Sequence, residues 1–147
     1  MVQRQGYLET LVGFRDKKLI KVVTGIRRCG KSTLLELFQE YLRSDGVTDE
    51  QIISVNLEDG EYDEIETYKQ LYDFINKKIV LDKKIYIFID EAQRIKDFQK
   101  AVDSLYVKKN CDVYITGSNA FLLSGELATL LSGRYVEIKM LPLSFRE

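Results

Sequence analysis

The sequence predicts an α/β domain: a three-layer α/β/α sandwich around a mainly parallel five-stranded sheet. Five segments of strand length alternate along the chain with segments whose apolar residues recur at helical spacing. Two of the strand segments are apolar almost throughout, as expected when helices cover both faces of a parallel sheet. The length of 147 residues suits one domain with one sizeable core.

The character of each strand predicts its place in the sheet. The segments 19–24 and 85–90 are nearly or wholly apolar, which favours interior positions. The segments 52–57 and 135–140 alternate apolar and polar residues, which favours the two edges. A shorter strand, the fourth along the chain, is predicted over 113–116. Helical spacing is found in three intervening segments, which are 32–42, 65–79 and 95–105.

The composition excludes several functional classes. The chain has no histidine, so Ser-His triads, histidine bases and imidazole metal sites are ruled out. Cys29 and Cys111 are the two cysteines, too few and too far apart for a disulfide framework or a thiolate metal site. No apolar run approaches a membrane span, so we expect a cytoplasmic protein without a membrane partner. The net charge of −1 indicates no polyanion partner, although it does not exclude a local basic patch.

A phosphate-binding loop is the clearest motif. Residues 25–32, Gly-Ile-Arg-Arg-Cys-Gly-Lys-Ser, fit G-x-x-x-x-G-K-[ST] between an apolar strand and an amphipathic helix. The glycines allow the backbone to wrap an anion, with amide groups and the helix N-terminus directed at the β-phosphate. Lys31 would bridge the β- and γ-phosphates, and the Ser32 hydroxyl would bind Mg²⁺. The loop therefore predicts a nucleoside triphosphate, ATP, with magnesium as its cofactor.

The other loop residues have weaker predicted roles. Arg27 and Arg28 either reach a phosphate or a partner, or are solvated as long cationic side chains in loops commonly are. Cys29 is better interpreted as a small loop residue than as a redox switch. The full set of predicted nucleotide-binding residues is Gly25, Ile26, Arg27, Arg28, Cys29, Gly30, Lys31, Ser32 and Thr33.

Two carboxylates end the strand 85–90. Acidic groups at the end of a buried strand need a counter-charge, because burying an unpaired carboxylate costs roughly several kcal/mol of folding free energy. Bound Mg²⁺ would supply it, with Asp90 holding the ion and Glu91 polarising the water that attacks the γ-phosphate. The alternative is a helix N-cap at Asp90, with Glu91 exposed in the first helical turn.

Three further polar residues are candidates for the site. Ser118 and Asn119 follow the fourth strand. If that strand lies between the first strand and the one that ends in Asp90, the Asn119 amide or the Ser118 hydroxyl would orient the attacking water; otherwise the two residues suit a plain turn. Arg134 precedes the last strand and would neutralise charge on the transferring phosphate, in its own site or a neighbour's, or else form a surface salt bridge. Asn56 ends the second strand and is a weaker candidate.

Five sequence blocks together resemble a bacterial and archaeal family of AAA-type ATPases, over nearly the whole chain. The blocks are 20–33, 89–93, 116–120, 131–135 and 141–145. The resemblance implies the P-loop NTPase fold of the additional-strand class, with strand order 5-1-4-3-2. It also implies that Asn119 is a sensor residue, that Asn56 restrains the catalytic glutamate, and that Arg134 is an arginine finger.

The same resemblance implies more protein than this chain contains. Members of the family continue from a segment like 141–147 into a helical lid and a C-terminal domain of restriction-endonuclease-like fold. We therefore expect residues 1–147 to be one P-loop ATPase core domain and a piece of a longer protein. A homo-oligomer and the missing C-terminal domain are the expected partners, beside ATP and ADP.

The predicted function is Mg-ATP hydrolysis that drives a conformational change in an attached or partner domain. An alternative from another class is a nucleotide-dependent binding switch with negligible hydrolysis in this chain, since a missing lid and neighbour would leave the site open to water. A small-molecule kinase is less favoured, because a glutamate after the magnesium aspartate suits water activation. The sequence has no Asn-Lys-x-Asp motif for guanine.

Overall fold

The computed structural model of the protein describes residues 2–26, 30–118, 131 and 133–141. Four helices and five strands alternate within these ranges. The helices are α1 (Val2–Phe14), α2 (Lys31–Ser44), α3 (Tyr68–Asn76) and α4 (Phe98–Tyr106). The strands are β1 (Ile20–Gly25), β2 (Ile52–Asn56), β3 (Ile85–Asp90), β4 (Cys111–Ser118) and β5 (Tyr135–Lys139).

The five strands form one sheet in the order β2-β3-β4-β1-β5. All four neighbouring pairs are parallel, so every strand ends at the same edge of the sheet. Counted from the other side, this is the predicted order 5-1-4-3-2. The edge positions predicted for β2 and β5 from their alternation are confirmed, as are the interior positions of β1 and β3.

Helices cover both faces of the sheet and complete the predicted three layers. On one face α3 and α4 bury an apolar cluster that includes Leu71, Ile75 and Val102. On the other face α1 and α2 bury a second cluster, in which Leu11 and Phe38 are fully covered. Burial on both sides explains why β1, β3 and β4 lack the alternation of a half-exposed strand.

The structure differs from the predicted elements at their ends. The pattern over 65–79 becomes a helix only over α3, because a capping box fixes its start. The Thr67 hydroxyl accepts from the Gln70 amide, and the Gln70 side chain accepts from the Thr67 amide, which leaves Ile65 outside the helix. The pattern over 95–105 becomes a helix only over α4, and a short 3₁₀ turn at Ala92–Arg94 precedes it.

One helix was not predicted. The apolar residues of α1 do not form a regular stripe, and the helix lacks acidic residues in its first turn and basic residues in its last. It is held instead by tertiary packing of Leu11 against α2 and the sheet. Among the helices in the described part of the chain, none combines the length and apolarity that crossing a membrane requires.

Candidate functional site

Four of the predicted site residues, Lys31, Ser32, Asp90 and Glu91, meet where the strands end. The register of the sheet aligns Gly25 with Ser118, and Asn56 with Asp90. The phosphate loop follows the end of β1, and Glu91 follows the end of β3. Because β4 lies between β1 and β3, the three interior strands deliver their last residues to one cleft.

Gly30 and Lys31 shape the described end of the phosphate loop. Gly30 has φ of 98°, a left-handed conformation that favours glycine, and α2 begins at the next residue. The buried Lys31 ammonium donates to the carbonyl oxygens of Gly25, at 2.9 Å, and Ile26, at 3.0 Å. The Lys31 side chain therefore folds back toward the end of β1. Thr33 is half-buried in the first turn of α2.

Ser32 and Asp90 bring two oxygen ligands together. The Ser32 hydroxyl donates to Asp90 Oδ2 at 2.5 Å, and Asp90 is nearly buried. No group of three or more acidic or cysteine residues able to hold a metal occurs among the described residues. This arrangement fits Mg²⁺, which binds through one or two protein oxygens together with phosphate oxygens and water. Ser32 and Asp90 would be its protein ligands.

Glu91 is held from its backbone and from its side chain. Its φ of 58° is left-handed, and its amide donates to the Thr116 hydroxyl at 2.8 Å. Its carboxylate accepts from Gln93 Nε2 at 2.8 Å and lies 3.8 Å from the Lys31 ammonium. Glu91 is 8% exposed. The alternative of an exposed Glu91 in a helix capped by Asp90 therefore does not fit the structure.

Two residues in this network were not assigned a role from the sequence. Thr116 is fully buried on β4, and its hydroxyl donates to Asp90 Oδ1 while it accepts from the Glu91 amide. Gln93 holds Glu91 and leaves its own buried Oε1 without a partner in the described part of the chain. A threonine in an otherwise apolar strand was the only sequence signal, and Gln93 gave none.

Asn56 lies beside the proposed metal position rather than on Glu91. Its Oδ1 accepts from the Glu58 amide at 3.0 Å, in a local turn at the end of β2. It lines a polar cavity of about 100 Å³ together with Ser32, Ser54 and Asp90. Among the described residues, Gln93 donates a hydrogen bond to the Glu91 carboxylate, and Asn56 does not.

Arg134 lies at the opposite end of the sheet. Its carbonyl accepts from the Ile20 amide at 2.9 Å, at the start of β1, whereas the phosphate loop follows the end of that strand. Its guanidinium pairs with Asp103 at 3.1 Å and lies over the Tyr106 ring. A five-residue strand is about 17 Å long, so the action of Arg134 on the chain's own nucleotide is not supported. Arg27, Arg28, Cys29 and Asn119 lie outside the described residues.

Comparison with solved structures identifies the same fold. A DNA polymerase III gamma subunit-related protein from Thermotoga maritima matches with a TM-score of 0.66 and 12% identity, over 95% of this chain and 47% of that one. Hsp104 with ATPγS and casein matches with a TM-score of 0.63 and 16% identity, over 97% of this chain and 27% of that one. A Drosophila ORC structure bound to DNA matches with a TM-score of 0.62 and 12% identity, over 99% of this chain and 94% of that one.

Two relatives are closer in sequence. An uncharacterized protein of Haemophilus influenzae is 49% identical over all of this chain and 37% of its own length. An uncharacterized protein of Methanocaldococcus jannaschii is 32% identical over 87% of this chain and 27% of its own length. The chain thus spans about a third or less of these relatives.

The family model described as an AAA domain matches residues 17–147, which include all five strands and the phosphate loop. That match supports an ATPase-type, nucleotide-binding function. The chain belongs to this AAA domain family.

Proposed function

We propose that the chain binds Mg-ATP and hydrolyses its γ-phosphate bond, and that turnover moves an attached or partner domain. The observation that supports this proposal is the contact of Ser32 with the buried residues Asp90, Lys31 and Glu91 where the interior strands end. It combines a metal ligand pair, a phosphate-binding cation and a candidate base within one network.

Each side chain has a distinct part in the proposed reaction. Lys31 exchanges its loop carbonyl partners for oxygens of the β- and γ-phosphates. Ser32 and Asp90 would hold Mg²⁺, which would supply positive charge to the phosphate oxygens. Glu91 accepts a proton from the water whose oxygen bonds to the γ-phosphorus, while the bond to the β,γ-bridging oxygen breaks and ADP leaves.

The proposal includes an attached domain outside residues 1–147. The matched region covers 37% and 27% of the two relatives' own lengths, which is consistent with a helical lid and a C-terminal domain beside the core. Arg134 lies far from its own site, so a role as an arginine finger would require a neighbouring copy in an oligomer. Such assembly, and a cytoplasmic location, are parts of the proposal.

A nucleotide-dependent switch is the second candidate. The Glu91 carboxylate is engaged by Lys31 and Gln93, and Arg134 is paired with Asp103. A chain that keeps these contacts would bind ATP with little turnover. A small-molecule kinase is less favoured, because a glutamate next to the metal aspartate suits activation of water.

Glu91→Gln tests the hydrolysis proposal. The amide cannot accept the water's proton, so we expect kcat to fall by about 10² to 10⁴-fold while ATP affinity stays within a few-fold. Turnover would be measured by phosphate release, and affinity by titration with labelled ATP. Glu50→Gln, at an exposed position just before β2 and so at the edge opposite the cleft, is the matched control and should keep full activity.

Three outcomes separate the candidates. Retained turnover in Glu91→Gln contradicts the assignment of the base. Tight ATP binding without turnover in the unsubstituted protein, at every protein concentration, supports the switch. Turnover that rises steeply with protein concentration, and that Arg134→Ala abolishes, supports a finger supplied by a neighbouring copy.

A further inference from the structure

The chain contains four Lys-Lys pairs, and all four lie at the edge of the sheet where the strands begin. Three pairs directly precede β1, β3 and β4, and the fourth follows α3, which runs back toward that edge. We call these eight residues the basic edge. Its members are Lys17, Lys18, Lys77, Lys78, Lys83, Lys84, Lys108 and Lys109.

Hydrogen bonds join these loops into one continuous surface. The Lys18 ammonium donates to the Lys108 carbonyl at 3.0 Å, which connects the pair before β1 to the pair before β4. The Asn110 amide donates to the carbonyls of Lys83, at 2.9 Å, and Val80, at 3.1 Å. The pair before β3 and the segment after α3 are therefore held against the same turn.

Few carboxylates neutralise the basic edge. Lys83 pairs with Glu50, Lys84 lies 3.6 Å from Asp16, and Asp82 lies within the same loop. The nearby Asp45 and Asp49 are bound by Arg15 and Arg43. Lys77 and Lys109 are exposed and have no carboxylate partner in the part of the chain that the structure describes.

The lysines also influence one another. Burial lowers the pKa of Lys18, and the nearby charge of Lys84 lowers it further. At the opposite edge, the segment after β2 carries six carboxylates and no basic residue between positions 58 and 66. The net charge of −1 is therefore compatible with a locally basic surface.

We propose that the basic edge binds the phosphate backbone of nucleic acid. Neighbouring strands lie about 4.8 Å apart, so the pairs before β3, β4 and β1 form a row of charge about 10 Å long. A row of this kind fits a polymer whose phosphates repeat every few ångströms, about 3.4 Å along each strand of a duplex. Lysines without arginine forks neutralise phosphates and read no bases, so the binding is independent of sequence.

Helix-end stabilisation and membrane binding would each use the same lysines in a different way. Lysines after α3 and α4 would stabilise the C-terminal ends of those helices without any ligand. Leu81 and Val107 are 86% and 62% exposed beside the lysines, which would suit an anionic membrane surface. Two separate apolar side chains give little insertion, whereas eight lysines give a large charge, so the polyanion is favoured.

The test measures binding of a fluorescein-labelled 30-nucleotide strand, and of the corresponding duplex, from 50 to 200 mM salt. Binding should weaken steeply with salt, since each neutralised duplex phosphate contributes about −0.9 to the slope of log K against log salt. Lys77→Glu with Lys109→Glu should weaken binding by at least about tenfold at 50 mM and reduce the magnitude of the slope by about two.

The matched control is Lys96→Glu with Lys139→Glu. It makes the same change in net charge with exposed lysines at the opposite edge of the sheet, and it should alter affinity by less than about threefold. Circular dichroism and a denaturant titration check that both variants are folded. The proposal is independent of ATP hydrolysis and can fail or succeed alone.

Several results would overturn the proposal. These are no salt-dependent binding by the unsubstituted protein, equal losses in the two variants, or full binding by the Lys77 and Lys109 variant. Binding to phosphatidylserine vesicles without binding to nucleic acid would assign the surface to a membrane. If the Lys77 and Lys109 variant unfolds at a lower denaturant concentration but binds nucleic acid as before, these lysines only stabilise helix ends.

Discussion

At the scale of single residues, one hydroxyl on β4 connects the proposed metal ligand to the proposed base. The Thr116 hydroxyl donates its single hydrogen bond to Asp90 and accepts a hydrogen bond from the Glu91 amide. Both partners are buried, so neither can exchange this contact for water at no cost. Thr116 is therefore a positioning residue that acts through Asp90 and Glu91.

Substitution of Thr116 should affect magnesium-dependent binding. In Thr116→Val the shape is kept while Asp90 Oδ1 and the Glu91 amide lose their partner, so Asp90 is less well oriented toward Mg²⁺. We expect the Mg²⁺ concentration that half-saturates ATP binding to rise about tenfold or more, because loss of an outer-shell partner of a metal ligand typically lowers affinity by about 10- to 100-fold.

Thr116→Ser is the matched control, because it restores the hydroxyl and should recover most of the Mg²⁺ dependence. A magnesium midpoint that is the same in Thr116→Val and in the unsubstituted protein would contradict the positioning role. ATP binding without Mg²⁺ should be similar in all three proteins.

Sequence reasoning found the residues whose types carry the chemistry and missed those that orient them. Lys31, Ser32, Asp90 and Glu91 follow from motif spacing and from acids at the end of an apolar strand. The role of Thr116 depends on strand register, which brings β4 beside β3 at the level of Asp90. No local sequence pattern indicates that Thr116 lies next to Asp90.

At the scale of elements, a buried ion pair attaches the link between α1 and β1 to β4. Lys21 is fully buried and binds the Asp112 carboxylate and the Lys17 carbonyl. The second Asp112 oxygen accepts from the Tyr114 hydroxyl at 2.7 Å and from the Asp16 amide at 2.9 Å. The buried Asp112 carboxylate thus accepts hydrogen bonds from β1, from β4 and from the link between α1 and β1.

Removal of the Asp112 charge should destabilise the fold strongly. Asp112→Asn leaves the Lys21 ammonium buried without a counter-charge, which costs about 3–5 kcal/mol in the free energy of unfolding. Lys21→Met with Asp112→Asn removes both charges and should recover much of that loss. Urea titration followed by circular dichroism measures each variant.

An exposed ion pair provides the control. Lys83 and Glu50 are both solvent-exposed, so Glu50→Gln should change the unfolding free energy by at most about 1 kcal/mol. If Asp112→Asn is as mild as Glu50→Gln, the buried pair does not anchor β1 in the manner described. A double variant no more stable than Asp112→Asn would contradict the role assigned to the buried charges.

The predictability of elements follows from how each is stabilised. The amphipathic stripes of α2, α3 and α4 and the apolar runs of β1 and β3 are local patterns, and each was recognised. The helix α1 has no comparable stripe and depends on packing of Leu11 against α2. The end of β4 was placed too early because Gly117 and Ser118 resemble turn residues, although parallel pairing with β1 extends the strand through them.

At the scale of the whole molecule, parallel topology separates the two proposed activities. All strands end at the nucleotide cleft and begin at the basic edge, so the two sites face opposite ends of a sheet five to eight residues deep. Strand order could be expected from a family resemblance, and the edge strands from alternation. The gathering of four Lys-Lys pairs at one edge follows only once that order is known.

The proposed Mg-ATP site consists of the phosphate loop and Asp90. Calorimetric titration with ATPγS, with and without Mg²⁺, tests for this site without requiring turnover. The unsubstituted protein should bind one equivalent, more tightly with Mg²⁺. Lys31→Ala should abolish binding, and Asp90→Asn should remove only the gain from Mg²⁺. Absence of binding by the unsubstituted protein, or equal binding by Lys31→Ala, would contradict the claim.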